Sequence, residues 1–152
     1  MGQVGYRFAG SRFCLTLTIM STTAKDIMTT ELIIGHPEMT IEEAIKTLVN
    51  NRITGMPVID DQRRIVGVVS EYDIIKTVEG LDKDKPIDLQ RRIDYSHEVT
   101  KITEDTTLPD ILKYFVENRV RRLPVINKQN QLVGIITRRD IMRVLFYRSK
   151  TL

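Results

Sequence analysis

The chain is poor in the residue types that build many catalytic and metal-binding sites. Its 152 residues include one cysteine, two histidines and no tryptophan. Cys14 cannot form an intramolecular disulfide, which fits a reducing compartment, and no Cys/His cluster has the spacing of a zinc site. His36 and His97 stand isolated in polar stretches. A nucleophile elbow and a Walker glycine loop are also missing, so the sequence offers no pattern for an enzyme.

Long apolar runs are missing as well. None approaches the ~20 residues needed to cross a bilayer, so we expect no membrane span and a cytoplasmic location. The net charge of +3 argues only weakly for anionic ligands. The first twenty residues allow two interpretations: a signal peptide with an apolar stretch from Phe13 to Met20 and a cleavage point near Ala24, or an upstream extension with Met20 as the true start. Both place residues 1–20 as a tail outside the fold.

The strongest feature of the sequence is an internal repeat with an offset of 67 residues. Residues 40–75 align with residues 107–142 without a gap, and 13 of the 36 positions are identical. In the first copy the identical residues are Thr40, Lys46, Val49, Asn51, Arg52, Pro57, Val58, Ile59, Gln62, Val66, Gly67, Asp73 and Ile74. Such agreement indicates two tandem copies of one structural unit.

Each copy has the pattern β-α-β-β-α. The elements predicted for the first copy are an extended segment at Glu31–Gly35, a helix capped by Thr40 and Glu43, strands at Met56–Ile59 and Ile65–Val69, and a helix from Glu71. The second copy repeats this order, with an extended segment at Val99–Thr103, a cap at Thr107 and a last helix from Arg138. We therefore predict a mixed α/β (α+β) fold of two units with pseudo-two-fold symmetry. The predicted boundaries are 21–79 for the first copy, 80–96 for a charged linker and 97–148 for the second copy.

A repeated motif lies where a strand turns into the last helix of each copy. It reads Ser70-Glu71-Tyr72-Asp73 in the first copy and Thr137-Arg138-Arg139-Asp140 in the second. One interpretation is a capping box, which is worth about 1 kcal/mol and needs no ligand. The other is a ribose site, because a carboxylate offers acceptors to two adjacent hydroxyls while the helix N-terminus attracts an anion. The motif alone leaves both open.

The second copy also concentrates positive charge. Thr54-Gly55-Met56-Pro57-Val58 in the first copy is matched by Arg121-Arg122-Leu123-Pro124-Val125, and further arginines occur at 119, 138 and 139. Such a run is usually a solvated basic face. A cleft at the end of a sheet could instead bring the guanidinium groups together on a phosphate.

Taken in order and twice, these motifs resemble the CBS domain, named for cystathionine β-synthase. The resemblance covers about residues 24–148 and makes the chain similar to a stand-alone CBS pair. It rests on Lys25-Asp26-Ile27-Met28-Thr29, the two Pro-Val-Ile strands, the two Val-Gly strands and the two S/T-x-x-D turns. The second copy departs from the pattern at its opening, where Tyr95-Ser96-His97-Glu98 replaces Asp-Ile-Met-Thr.

The resemblance implies a non-enzymatic regulatory module that binds AMP, ADP, ATP or S-adenosylmethionine in clefts between its two units and signals to a partner protein. It implies a homodimer and no catalytic cofactor. In one pocket Asp140 would hold ribose beside Thr137, with Ile33 and Thr54 as walls and Arg121 and Arg122 on phosphate. In the other, Asp73 would do so beside Ser70, with Thr100 and Val120 as walls. Charge then predicts phosphate mainly at Asp140, with S-adenosylmethionine or an empty pocket at Asp73.

Two other functions compete with this one. A protein-interaction module with vestigial pockets would need no small molecule. Nucleic-acid binding has the basic second copy in its favour but lacks stacking aromatics beside the arginines.

Overall fold

The computed structural model describes residues 19–81 and 84–149. The predicted tail, residues 1–20, therefore lies outside the described residues except for its last two. In chain order the elements are α1 (Ala24–Ile27), α2 (Ile41–Asn51), β1 (Gly55–Ile59), β2 (Ile65–Ser70), α3 (Glu71–Glu79), β3 (Ile102–Thr103), α4 (Leu108–Glu117), β4 (Arg122–Ile126), β5 (Leu132–Thr137) and α5 (Arg138–Ser149). The predicted mixed α/β class and the helix–strand–strand–helix order of each copy are confirmed.

The chain forms two compact units. The first-copy unit contains residues 31–100 and 126–133, and the second-copy unit contains the described residues up to 30, residues 101–125 and those from 134 onward. Each unit thus includes a segment that is distant in sequence from its main part.

Helix α2 and the β1–β2 hairpin build the core of the first-copy unit. The helix begins with the predicted capping box, in which the Thr40 amide donates to Glu43 Oε2 (2.9 Å) and the Glu43 amide donates to Thr40 Oγ1 (3.2 Å). It ends at Arg52, whose φ of 53° is left-handed. The apolar face of α2 packs on the hairpin, and the buried side chains are Ile41, Ala44, Leu48, Met56, Val58, Val69 and Ile93.

The β1–β2 hairpin is antiparallel, and a short segment pairs with each of its two edges. The register pairs Gly55 with Ser70, so the hairpin ends at the first turn of α3. At the β1 edge, the extended segment predicted at 31–35 contributes a single bridging residue, Gly35, whose amide donates to the Pro57 carbonyl (2.8 Å). At the β2 edge, the Ser96 amide donates to the Val68 carbonyl (3.0 Å) and its carbonyl accepts from the Val68 amide (2.9 Å).

The segment at 89–93 packs against the start of α2. The amides of Ile41 and Glu42 donate to the carbonyls of Arg91 (2.9 Å) and Leu89 (3.0 Å). The Gln90 side chain adds a bond of 2.6 Å to the Glu42 carboxylate. Hydrogen bonds from Lys46 and Gln90 lower the pKa of Glu42 from its ordinary value. These residues, which belong to the predicted linker, are therefore part of the first-copy unit.

The second-copy unit is organised on the sheet β3–β4–β5, with its strands in that order. Its helix α4 is capped by Thr107, whose hydroxyl donates to Asp110 Oδ2 (2.7 Å). Residues 24–29 complete this unit. The Ala24 amide donates to the Thr106 carbonyl (2.8 Å), and the amide of Thr29 donates to the Ile135 carbonyl on β5 (2.9 Å).

The two edge segments correspond to each other under the repeat. Met28–Thr29 lies on β5 as Tyr95–Ser96 lies on β2, and the two pairs are 67 residues apart. Tyr95–Ser96 therefore occupies the place that the missing Asp-Ile-Met-Thr opening would have filled. In each unit, the residues that precede one copy in sequence complete the sheet of the other copy.

The identical glycines Gly67 and Gly134 make room for these segments. A Cβ atom at Gly67 would overlap the Tyr95 ring, and one at Gly134 would overlap the Met28 side chain. The repeated glycine is therefore explained by close approach of an edge side chain to the strand.

Candidate functional site

The first turn of α3 brings Ser70 and Asp73 together. The Ser70 amide donates to Asp73 Oδ2 (2.7 Å), and the Ser70 hydroxyl donates to the same oxygen (2.5 Å). The Asp73 amide lies 3.4 Å from Ser70 Oγ, which closes the capping box. Asp73 Oδ1 has no partner among the described residues. The cap therefore uses only one of the two carboxylate oxygens.

The first turn of α5 repeats this geometry. The Thr137 amide and hydroxyl donate to Asp140 Oδ2 at 2.8 and 2.6 Å. Oδ1 differs from its counterpart, because the Arg143 guanidinium lies 3.6 Å away. The Asp140 side chain is only 13% exposed, while that of Arg143 is 64% exposed. The ion pair is therefore formed from the solvent side.

The capping and ligand-binding interpretations are thus compatible at both turns. A carboxylate has about four acceptor positions on two oxygens, and two of them are used by the cap. In each motif the cap also fixes the carboxylate in one orientation. Asp73 and Asp140 can therefore accept hydroxyl hydrogens without unfolding the first turn of their helix.

Asp73 lines a cleft of about 550 Å³ in the first-copy unit. Its walls are α3 and the segment that ends in the β2 edge residues, with lining residues Asp73, Lys76, Thr77, Gly80, Leu81, Arg91, Asp94, Tyr95 and Ser96. Arg91 and Asp94 form an ion pair at 3.4 Å across one wall. Lys76 has no ion-pair partner among the described residues.

Asp140 lines an equivalent cleft of about 380 Å³ in the second-copy unit. Its walls are α5 and the Asp26–Thr29 segment, and its lining residues are Asp26, Ile27, Thr29, Asp140, Arg143, Val144 and Tyr147. Asp26 Oδ2 accepts from the Thr23 amide at 2.8 Å, so this carboxylate caps the short helix α1. The two clefts correspond under the 67-residue offset.

The remaining residues predicted at the site divide between the two units. Thr54, Ile33 and Thr100 belong to the first-copy unit with Ser70 and Asp73. The Thr54 carbonyl accepts from the Glu71 amide (3.1 Å), which places it beside the first turn of α3. Ile33 is exposed and Thr100 is half-buried, and neither lines the cleft beside Asp73.

Val120, Arg121 and Arg122 belong to the second-copy unit with Thr137 and Asp140. The Arg138 side chain is hydrogen-bonded to the loop between α4 and β4. Its Nε donates to the Val120 carbonyl (3.0 Å) and its Nη2 to the Arg119 carbonyl (3.2 Å). Arg121 is exposed, Arg122 begins β4, and neither lines the cleft beside Asp140.

The cations inside the clefts were missed by the sequence reasoning. Lys76 and Arg143 each lie three residues after the motif aspartate and are 67 residues apart. The aligned block ended at residues 75 and 142, one position too early to include them. Lys76 and Arg91 also bring positive charge to the Asp73 cleft, whereas the exposed Glu71 and Tyr72 do not line it.

Within residues 19–81 and 84–149, no group of three or more His, Cys, Asp or Glu side chains is placed to hold a metal ion. In the same part of the chain, no helix is long and apolar enough to cross a membrane.

His97 lies on the surface with its ring 4.8 Å from that of Tyr95 and its Nδ1 3.3 Å from the Val66 carbonyl.

Both copies of the repeat match the sequence model of one family. The sequence model of the CBS domain matches residues 24–80 and residues 91–147. The chain therefore belongs to the CBS domain family and carries two tandem CBS domains, as the resemblance predicted.

Several known proteins are similar to this chain in sequence. An uncharacterized 17.7 kDa protein of Acidianus ambivalens is 36% identical over 126 residues, which cover 83% of this chain and 74% of that protein. Other curated relatives are longer: the chain spans 35% of a second archaeal protein and 23% of an inosine-5′-monophosphate dehydrogenase, both from Methanocaldococcus jannaschii.

Two solved structures are similar to the chain and contain adenosyl compounds. The CBS pair of protein MJ0100, in complex with 5′-methylthioadenosine and S-adenosyl-L-methionine, is 25% identical with a TM-score of 0.70, covering 84% of this chain and 98% of that one. CBSX2 from Arabidopsis thaliana, in complex with AMP, is 30% identical with a TM-score of 0.67, covering 82% and 96%.

Proposed function

We propose that the chain is a non-enzymatic sensor that binds an adenosyl ligand, AMP, ADP, ATP or S-adenosylmethionine, and signals its presence to a partner protein. The proposal rests on the hydrogen bonding and position of the two motif aspartates. Each uses one oxygen in a helix cap and lies on the wall of a cleft with the other oxygen outside the cap. The solved CBS pairs with AMP, and with 5′-methylthioadenosine and S-adenosyl-L-methionine, support the ligand class.

The ribose of the ligand would be bound by Asp73 or Asp140. Two adjacent hydroxyls need acceptors, and a fixed carboxylate supplies them at little entropic cost because its cap has already ordered it. Dinucleotide-binding folds use an acidic residue on ribose in the same way. Arg121 and Arg122 would add phosphate contacts from the start of β4, and Ile33, Thr54, Thr100 and Val120 remain proposed pocket walls.

Substitution of each aspartate by asparagine tests the proposal. The amide oxygen of Asp73→Asn or Asp140→Asn can still accept the cap bonds, but its NH₂ group would meet the ribose hydroxyls with a donor. We expect each variant to lose binding at one cleft, with affinity there falling roughly 10- to 100-fold. Isothermal titration with AMP, ATP, S-adenosylmethionine and adenosine measures this.

Asp110→Asn is the matched control, because Asp110 occupies the same cap position at α4 and does not line either cleft. It should leave all affinities unchanged. Ligand binding that is unaffected by both Asp73→Asn and Asp140→Asn would contradict the assignment of these carboxylates to ribose.

A protein-interaction module is the second candidate function, and the exposed apolar side chains of α5 favour it. Met142, Leu145, Phe146 and Tyr147 are 59%, 39%, 53% and 67% exposed. They also support the proposal that the chain is a homodimer formed through helices, since isologous contacts are the commonest solution. Light scattering at micromolar concentration should give twice the chain mass, and a monomer mass would overturn the dimer.

A further inference from the structure

Both clefts contain a basic side chain at the same place in the repeat. Lys76 lies three residues after Asp73 on α3, and Arg143 lies three residues after Asp140 on α5. Residues three apart on a helix are neighbours on its surface. Each cation therefore lies next to the carboxylate on the wall of the same cleft, and both positions are among the lining residues.

We propose that Lys76 and Arg143 are the residues by which the two clefts select adenosyl ligands that carry an anionic group. This inference rests on the proposed function, since it assumes that ribose is bound by the neighbouring aspartate. It assigns the discrimination between a charged ligand and its neutral counterpart to residues inside the clefts, one turn of helix beyond the ribose carboxylate.

Both cations are available to a ligand. Lys76 is exposed, and its side-chain ammonium has no hydrogen-bond or ion-pair partner among the described residues. Arg143 contacts Asp140 Oδ1 at 3.6 Å from a side chain that is 64% exposed. A contact of this length, made by an exposed guanidinium, contributes little to stability, so a ligand anion can bind the guanidinium at little cost. When ribose hydroxyls occupy the carboxylate, the cation becomes the nearest partner for an anionic group.

The surrounding charges make the cations necessary. The Asp73 cleft contains the carboxylates of Asp73 and Asp94 with only Lys76 and Arg91 to balance them, and Arg91 is already paired with Asp94. In the Asp140 cleft, Arg143 is the one cation among the lining residues and faces two carboxylates, those of Asp26 and Asp140. Without Lys76, the only cation among the residues that line the Asp73 cleft is Arg91, which is paired with Asp94, and without Arg143 the residues that line the Asp140 cleft include no cation.

The test isolates each cleft. In an Asp140→Asn background, Lys76→Met is compared with Lys76, and in an Asp73→Asn background Arg143→Met is compared with Arg143. Titration uses AMP against adenosine, and S-adenosylmethionine against 5′-methylthioadenosine. The first pair differs by a phosphate, and the second by an aminocarboxypropyl group, whose carboxylate is the anion, together with the sulfonium charge.

We expect the methionine variants to weaken AMP, S-adenosylmethionine or both by roughly 10- to 100-fold, and the neutral partner of that ligand by less than about threefold. Lys76→Arg should restore the affinity. The controls are Lys46→Met in the first-copy unit and Lys113→Met in the second, which each remove a lysine outside the two clefts.

Equal losses for the charged and neutral ligands, no loss at all, or the same loss in the control variants would overturn this inference and leave the proposed function intact. If the parent protein binds none of the four compounds, the proposed function fails as well.

Discussion

At the scale of single residues, the two motif aspartates differ in the contacts of one carboxylate oxygen. Oδ2 of Asp73 and of Asp140 accepts the same pair of cap bonds. Oδ1 of Asp140 faces Arg143, while Oδ1 of Asp73 has no partner among the described residues. A ligand that binds at Asp140 must displace an ion pair, and one that binds at Asp73 need not. The two clefts therefore differ in whether the second carboxylate oxygen is already paired before a ligand binds.

Gly134→Ala should destabilise the protein, because the added Cβ atom would overlap the Met28 side chain on the β5 edge. Overpacking of this kind costs roughly 1–3 kcal/mol in the free energy of unfolding, which urea denaturation measures. The double variant Gly134→Ala with Met28→Ala should recover part of the loss, since the smaller side chain vacates the space.

Gly80→Ala provides the control for that substitution. A Cβ atom at Gly80 meets only the carbonyls of Lys76 and Thr77, at 3.5 and 3.7 Å, and φ there is −76°. Alanine fits such a position and should leave stability unchanged or raise it by about 0.4–1 kcal/mol. Equal destabilisation by the two alanine variants would show that close approach is not the reason for Gly134.

At the scale of elements, the helices and hairpin of each copy could be predicted from the sequence. The segments that pair with the edges of the sheets could not. The caps at Thr40 and Thr107 and the two hairpins follow from local patterns, namely a hydroxyl and an acid three residues apart and short apolar runs around a polar loop. Tyr95–Ser96 and Met28–Thr29 each join a sheet through a bridge of one residue pair. A single bridging pair is too short to show the alternation of apolar and polar residues that marks a strand, so no sequence pattern predicts it.

The candidate site divides in the same way. The aspartates and their caps were predicted because the motif is local. Lys76 and Arg143 could have been found by extending the repeat alignment by one position. The walls at Arg91–Ser96 and Asp26–Thr29 depend on which strand edge each segment joins, which only the three-dimensional structure shows.

Arg138→Ala should loosen the loop that precedes β4. The guanidinium joins α5 to the carbonyls of Arg119 and Val120, and the side chain of its counterpart Glu71 in the first copy is a carboxylate with no N–H group to donate. We expect a loss of about 1 kcal/mol in unfolding free energy and faster hydrogen exchange at the amides of Val120 and Arg121.

Arg139→Ala is the matched control, because Arg139 is the next residue, is exposed and has no partner among the described residues. It removes the same charge and should change neither quantity. If both variants speed exchange equally, the two side-chain hydrogen bonds do not hold the loop.

At the scale of the whole molecule, each half of the chain supplies an edge to the sheet of the other half. Met28–Thr29 belongs to the N-terminal half and pairs with β5, while Tyr95–Ser96 belongs to the C-terminal half and pairs with β2. We expect fragments 19–81 and 84–149, expressed together, to form a stable complex that purifies as one species.

Each fragment expressed alone should be poorly folded, since its hairpin lacks the outer edge segment and leaves an open strand. Circular dichroism and size-exclusion chromatography compare the separate fragments with the mixture. Two fragments that fold fully on their own and do not associate would contradict this account. A matched mixture with Gly134→Ala in the second fragment should associate more weakly than the mixture without it.

The exchange of edge segments has a consequence for ancestry. In a primordial chain with a single copy, the residues ahead of the first helix would have had no second copy to complete within the same polypeptide. They would have paired with the strand edge of an identical neighbour, which is a reciprocal two-fold arrangement. Duplication and fusion of the gene would then have joined two partners that already depended on each other. Duplication therefore carries both reciprocal pairings into a single chain, in which the two copies are free to diverge independently.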